Sequence, residues 1–158
     1  MTLNDVSDYI TLKVMDAGVG MNLLKLQKLV YYSQAWHLAI KGRPLFDGKF
    51  QAWVHGPVSR QLYDRFSATK SLYSPMLTTD IRSDFDPNDL SSEDRAHLDA
   101  VLEVYAQFTG SQLEEMTHQE DPWNEARKGF APSQRCEVDI DEEVMKRYYG
   151  ARLEKAKN

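Results

Sequence analysis

Cysteine occurs once, at Cys136, so the chain can form neither an internal disulfide nor a cysteine-based zinc cluster. Long apolar runs are missing too. The longest is the four residues from Leu29 to Tyr32, far short of the roughly 20 that span a bilayer. Asp5 and Asp8 stand where a secretory leader would need a basic start and an apolar stretch. A cytoplasmic protein without membrane association is expected. Also absent are a phosphate-binding Gly-rich loop, a G-x-S-x-G elbow, an H-E-x-x-H pair and a paired-cysteine metal motif. The commonest enzyme classes lose their sequence support, and no residue pattern calls for a cofactor.

What is present fits a single domain over residues 1–158. Hydrophobic residues at 42% and charged ones at 27% match soluble globular averages, which argues against global disorder. The net charge of −5 is uneven: residues 1–60 sum to +3 and residues 61–158 to −8. Within the second part, residues 80–121 hold twelve acids against only Arg82 and Arg95. Such a surface repels phosphate backbones, so nucleic-acid binding is not expected there. It reads either as a solvated acidic face or as a docking surface for a basic partner, with Asp80, Asp84, Asp86, Asp89, Glu93 and Asp94 as the candidate contacts.

Periodicity predicts a mainly α protein, a bundle of about six helices with a small two-stranded element. Val6, Ile10, Val14 and Ala17 mark one face of a first helix. Asn22 can cap a second, 23–41, closed by Gly42 with Pro44 beyond. This second helix is apolar almost all round, which makes it the centre of the core, with Lys25, Gln27 and Lys28 as a narrow wet stripe. Tyr31, Tyr32 and Trp36 read as core packing. Phe50, Ala52 and Val54 alternate as a short strand ended by Gly56-Pro57, and Pro57 suits the first turn of a helix running to Phe66.

A polar segment follows, 67–90, without clear periodicity, the kind of stretch that is more often functional or mobile than core. Ser91 opens a helix to Phe108 with Leu98, Val101, Leu102 and Tyr105 on one face. Thr109-Gly110 breaks it, and Ser111 with Glu114 repeats the capping pattern. Asp121 caps a short helix with Pro122 at its first position, "CEVDI" at 136–140 offers a second strand to pair with the first, and Asp141 caps a last helix. The charged tail 153–158 is expected to fray.

Two corners could carry chemistry. "HGP" at His55, Gly56 and Pro57, and "HQEDPW" from His118 to Trp123, each place a histidine ahead of a proline-bearing turn. With Glu120 and Asp121 nearby, a two-His-one-acid metal site would form if the turns met, and hydrogen bonding to loop backbone is the plainer reading. His37 and His97 read as surface or core-edge residues. Trp53 and Trp123 are either plugs beneath their corners or exposed interface anchors, and the adjoining caps favour plugs.

Three stretches in this order, "KLQKLVYYSQAWHL", "PLFDGKFQAWVHGPVSRQLY" and "MTHQEDPWNEAR", resemble the Panacea-domain proteins, also called SocA-like antitoxins and found as phage-associated proteins. The resemblance covers most of the chain from Leu23 to Tyr148. It implies a mainly helical fold and a non-enzymatic role for a bacterial or prophage-encoded protein in the cytoplasm, neutralising a cognate protein toxin by direct binding. It leaves open an adaptor that delivers the toxin to an ATP-dependent protease. A hydrolase using His55, His118 and Glu120 is a third reading. On the family reading "AWVHGPV" belongs to the shared scaffold, with Gly56 permitting a backbone angle that a side chain would penalise.

Overall fold

The computed structural model describes residues 1–157. Seven α-helices and one β-hairpin follow in the order α1 (Leu3–Asp16), α2 (Leu23–Lys41), β1 (Gln51–Trp53), β2 (Gly56–Val58), α3 (Arg60–Phe66), α4 (Ser92–Tyr105), α5 (Gly110–His118), α6 (Asp121–Ala126) and α7 (Glu142–Lys157). Single 3₁₀ turns at Thr78–Asp80 and Pro87–Asp89 punctuate the long connection before α4.

Helix α2 is the axis of the core, as its apolar character predicts. Asn22 caps it by accepting from the Lys25 N–H, and Gly42 closes it in the left-handed conformation. Helices α1, α4, α5 and α7 surround it. Consequently Lys25, Gln27 and Lys28 are buried rather than forming a wet stripe. From Leu23 to Ala35 the helix is enclosed on every side and has no wet face, so its polar side chains there must find protein partners. The Lys25 ammonium donates to the Ala106 carbonyl at 2.6 Å, at the C-terminus of α4, where the helix dipole favours a cation.

The hairpin differs from the expected pairing. β1 runs antiparallel to β2 with Gln51 opposite Val58 and Trp53 opposite Gly56. Pro57 therefore lies in a strand and not in a helix, and Ser59 caps α3 by accepting from the Leu62 N–H. Proline is tolerated because its strand partner, Ala52, directs its own N–H and C=O away from β2, to Val138 and Arg127. The "CEVDI" segment does reach the far side of β1, but only through a bridge between Gln51 and Asp139. Ile140 is buried there while Val138 is 42% exposed, so the two do not share one covered face.

Segment 67–90 is more than a surface loop. Leu72, Met76 and Leu90 join the core. The carbonyls of Leu72 and Ser74 accept from the N–H groups of Leu24 and Leu23, donors that a helix start leaves without intrahelical partners. Three ion pairs tie its neighbourhood to α1: Arg65 and Arg82 both reach the buried Asp8, at 2.8 and 2.6 Å, and Arg82 also reaches Asp5 at 2.7 Å.

Three helix ends are shifted from the sequence expectation. α4 stops at Tyr105 rather than Phe108. α5 starts at Gly110, with Thr109 and Gln112 as its capping box in place of Ser111 and Glu114. Gly110 is no breaker: a Cβ there would stand 2.9 Å from Asn22 Oδ1 and 3.0 Å from the Lys25 nitrogen, so glycine lets α5 approach the start of α2. α6 begins at Asp121 itself, and Glu120 occupies the cap position without using its side chain to cap. At the C-terminus, Asp141 accepts from the Glu143 N–H as expected. α7 continues as helix through Lys157, so of the tail expected to fray only residue 158 lies outside the described residues.

Candidate partner-binding site

The three motif stretches meet at the β1–β2 corner. From α2, Gln27 brackets Ser59, its Oε1 accepting from the Ser59 N–H at 2.8 Å and its Nε2 donating to the Ser59 carbonyl at 3.0 Å. Lys28 Nζ donates to the Pro57 carbonyl at 3.0 Å. From the opposite side, His118 bonds the Val54 carbonyl through Nε2 at 3.0 Å, and Trp123 Nε1 donates to the Trp53 carbonyl at 2.7 Å. Arg127 Nη1 takes the Ala52 carbonyl at 2.8 Å. A short hairpin satisfies few of its own backbone groups, and here side chains from three helices' worth of sequence satisfy the rest.

Gly56 sits where these elements converge, with φ +91°. A Cβ on it would lie 2.7 Å from Lys28 Cε and 2.8 Å from Thr117 Oγ1. The glycine is required twice, by its backbone angle and by the space above it.

Burial pushes the Lys28 ammonium down to about 7, with the Glu114 carboxylate pulling it back up. Glu114 Oε1 approaches His55 Nδ1 at 3.3 Å, and burial lowers His118 while Glu114 raises it. His118 stacks on Trp123 with ring centres 4.1 Å apart. Glu120 faces elsewhere. Its Oε1 accepts from the hydroxyls of Tyr32 and Tyr149, both at 2.8 Å, and its Oε2 from Arg152 at 2.8 Å. Burial raises this carboxyl, and the two hydroxyls and Arg152 hold it back. Tyr31 extends the network to Tyr149 at 3.1 Å. Tyr32 stacks on Tyr105, whose hydroxyl accepts from Trp36 Nε1. The aromatic cluster of α2 is thus core packing, as expected, but packing around a buried carboxylate.

The histidine corners do not assemble the two-His-one-acid site. His55 turns to Glu114, His118 to the Val54 carbonyl, and Glu120 to two tyrosines and an arginine. Among the described residues no three His, Cys, Asp or Glu side chains are grouped as metal ligands. His37 and His97 tie loop and helix backbone, at the carbonyls of Arg43 and Ser33. Pro122 and Trp123 are buried, so Trp123 is the plug its position suggests. Trp53 is not: it is half-buried and forms a wall of an open cleft of about 510 Å³, with His55, Arg60, Tyr63, Tyr73 and Arg135.

The acidic candidates are divided. Asp80 is held by Lys70 at 2.9 Å and by the Leu77 N–H. Glu93 pairs with Lys41 at 2.8 Å, and Asp86 accepts from the Asn88 N–H. Asp84, Asp86 and Asp89 are exposed and, with the half-buried Asp94, line a smaller groove that also contains Asp5 and Arg82.

Sequence reasoning missed Gln27, Lys28, Glu114 and Arg127. A signal existed for the first two: polar residues in a helix that is otherwise apolar all round must be buried and partnered. Glu114 sits on the short helix α5 and Arg127 just past the end of α6, places where a charged residue is ordinarily solvated.

This geometry defines a small helical scaffold that fixes one hairpin from several sides and opens a cleft beside it. Residues 26–124 match the family described as "Antitoxin SocA-like, Panacea domain", a span that takes in all three motif junction contacts from α2, the hairpin and α5–α6 up to Trp123. The chain is also similar to "Antitoxin SocA" of Caulobacter vibrioides (strain NA1000 / CB15N), 30% identical over 142 residues, covering 85% of this chain and 74% of that relative. No solved structure matches it. The chain belongs to the SocA-like, Panacea-domain antitoxin family. No helix among the described residues is long and apolar enough to cross a membrane.

Proposed function

We propose that this protein is an antitoxin that neutralises a cognate protein toxin in the cytoplasm by binding it directly, without catalysis of its own. The observation that carries the reading is the match to the antitoxin family over residues 26–124. The side chains a hydrolase would need support it as well, since His118 and Glu120 are committed to holding backbone and helices in place. Asp84, Asp86, Asp89 and Asp94 are the part of the acidic stretch that a basic partner surface would meet, because Asp80 and Glu93 already have lysine partners. The same acidity disfavours nucleic acid as a partner there.

The test is co-expression with the product of the adjoining gene, followed by purification. Growth rescue together with a stable complex of the two proteins is the expected result. A toxin that disappears only when this protein and an ATP-dependent protease are both present would replace sequestration by delivery. Rescue without any physical association would sink direct binding.

A further inference from the structure

The cleft beside the hairpin is not one of the acidic contacts, and its lining has a different chemistry. Its base is rigid: the Ala52, Trp53 and Val54 carbonyls are each held by a side chain from α5, α6 or the turn that follows α6. One wall, the chain around residues 131–135, is pinned by Arg127, which is buried and donates to the Ala131 carbonyl at 2.9 Å. The other walls are aromatic. Trp53 and Tyr63 meet edge to face with centres 5.0 Å apart, and the Arg60 guanidinium lies 5.7 Å from the Trp53 ring. Tyr73 projects from segment 67–90 and is 62% exposed.

Charge separates this cleft from the rest of an acidic molecule. Two guanidiniums of the lining, Arg60 and Arg135, share the single carboxylate oxygen Glu137 Oε1, at 3.2 and 2.7 Å. Asp64 reaches Arg60 Nε at 3.5 Å without lining the cleft. The Arg135 side chain is 83% exposed, so most of its donors face solvent. Tryptophan, tyrosine and arginine around a concave, preformed surface are the composition of binding hot spots. An arginine with free donors is suited to grip a carboxylate by a two-pronged hydrogen bond.

We propose that this cleft docks a segment of the toxin that presents an aromatic or large apolar side chain next to a carboxylate, the ring packing against Trp53, Tyr63 and Tyr73 and the carboxylate replacing Glu137 on Arg135. The assignment rests on the antitoxin reading and adds to it where the partner is held. It predicts an anchoring contact of opposite polarity to the one the acidic stretch would make.

The experiment is titration of the purified full chain with the purified product of the adjoining gene, comparing wild type with Tyr73→Ala, Arg135→Glu and the double variant. Both side chains are exposed, so melting curves should match wild type. Each single change should weaken binding about 10-fold and the pair more, as expected for hot-spot residues. The Arg135→Glu loss should shrink as salt rises. Trp53→Ala gives a second reading of the same cleft from its half-buried wall. Wild-type affinity in all of these variants, with the wild type itself binding, overturns the cleft assignment and leaves the antitoxin reading standing. Failure of the wild type to bind overturns both. If the cleft variants instead convert a dimer of the free protein to a monomer in sedimentation, the occupant is a second copy, and the toxin segment is ruled out.

Discussion

Around the hairpin corner, Gln27, Lys28, His118, Trp123 and Arg127 aim their polar atoms inward at backbone that the short strands cannot satisfy. In the acidic stretch, Asp84, Asp86 and Asp89 stand in solvent. The corner thus converts side-chain polarity into a fixed geometry, because an unpartnered polar group there would carry its full desolvation penalty. The stretch keeps its polarity available to a partner, because water already satisfies it. A domain that must hold one fold and still offer a surface to a partner would be expected to divide its residues in this way, and substitutions in the two regions should separate stability from binding.

The largest stability loss is expected at Glu120. Replacing it by Ala leaves two buried tyrosine hydroxyls and Arg152 without their acceptor, and loses the tie between α2, α7 and the start of α6. Breaking one side of a buried charged network costs about 3 kcal/mol or more. Urea unfolding of Glu120→Ala checks this, and a loss below about 1 kcal/mol would show that the network is hydrated. Gly56→Ala comes next, at about 2 kcal/mol, because the usual penalty for a side chain at positive φ is increased by the close approach to Lys28 and Thr117. Because the corner borders the cleft, this variant should also weaken any ligand the cleft holds.

Lys28 gives the corner a pH signature of its own. Its amine is held at about 7, against an ordinary value of 10.5. Between those two values the unfolded chain binds a proton that the folded chain does not, so stability rises with pH, by at most about 1.4 kcal/mol per unit. Below the lower value the full burial penalty is present. The buried tyrosines act in the opposite sense above their ordinary value of 10.0, where the unfolded state loses protons first. Denaturation midpoints measured from pH 7 to about 9 should therefore climb, and Lys28→Met should flatten that climb. A flat wild-type profile would mean that Lys28 stays charged when buried.

How much of this could be read beforehand depends on the range over which each feature acts. Helix α2 was legible to both caps, since Asn22, Gly42 and the apolar run are local signals. The hairpin was half legible: Gly56-Pro57 announced a turn, but whether Pro57 starts a helix or fills a strand depends on Ala52 facing away from it, a long-range fact. Glu120 shows the same limit. Its sequence context is that of a helix start, and only the arrival of Tyr32 and Tyr149 from elements far away in sequence makes it a core residue. The motifs marked where the corner would be, while the cleft beside it is assembled from four separate segments and has no linear signature.

The smallest stability effect belongs to the acids. Reversing Asp84, Asp86 and Asp89 together to Lys should change folding free energy by no more than about 0.5 kcal/mol per site, since exposed substitutions away from caps and cores rarely do more. Asp86 is the one exception to weigh, because its carboxylate accepts from the Asn88 N–H and a lysine would release that turn. If these acids meet a basic toxin, the triple variant should lose much of its association rate while keeping its melting curve, and the loss should be greatest at low salt, where long-range steering is least screened. Stopped-flow association with the toxin at two ionic strengths reads this directly. An unchanged rate with an intact fold would make the stretch a solvated face only, and would leave the cleft as the surface to map.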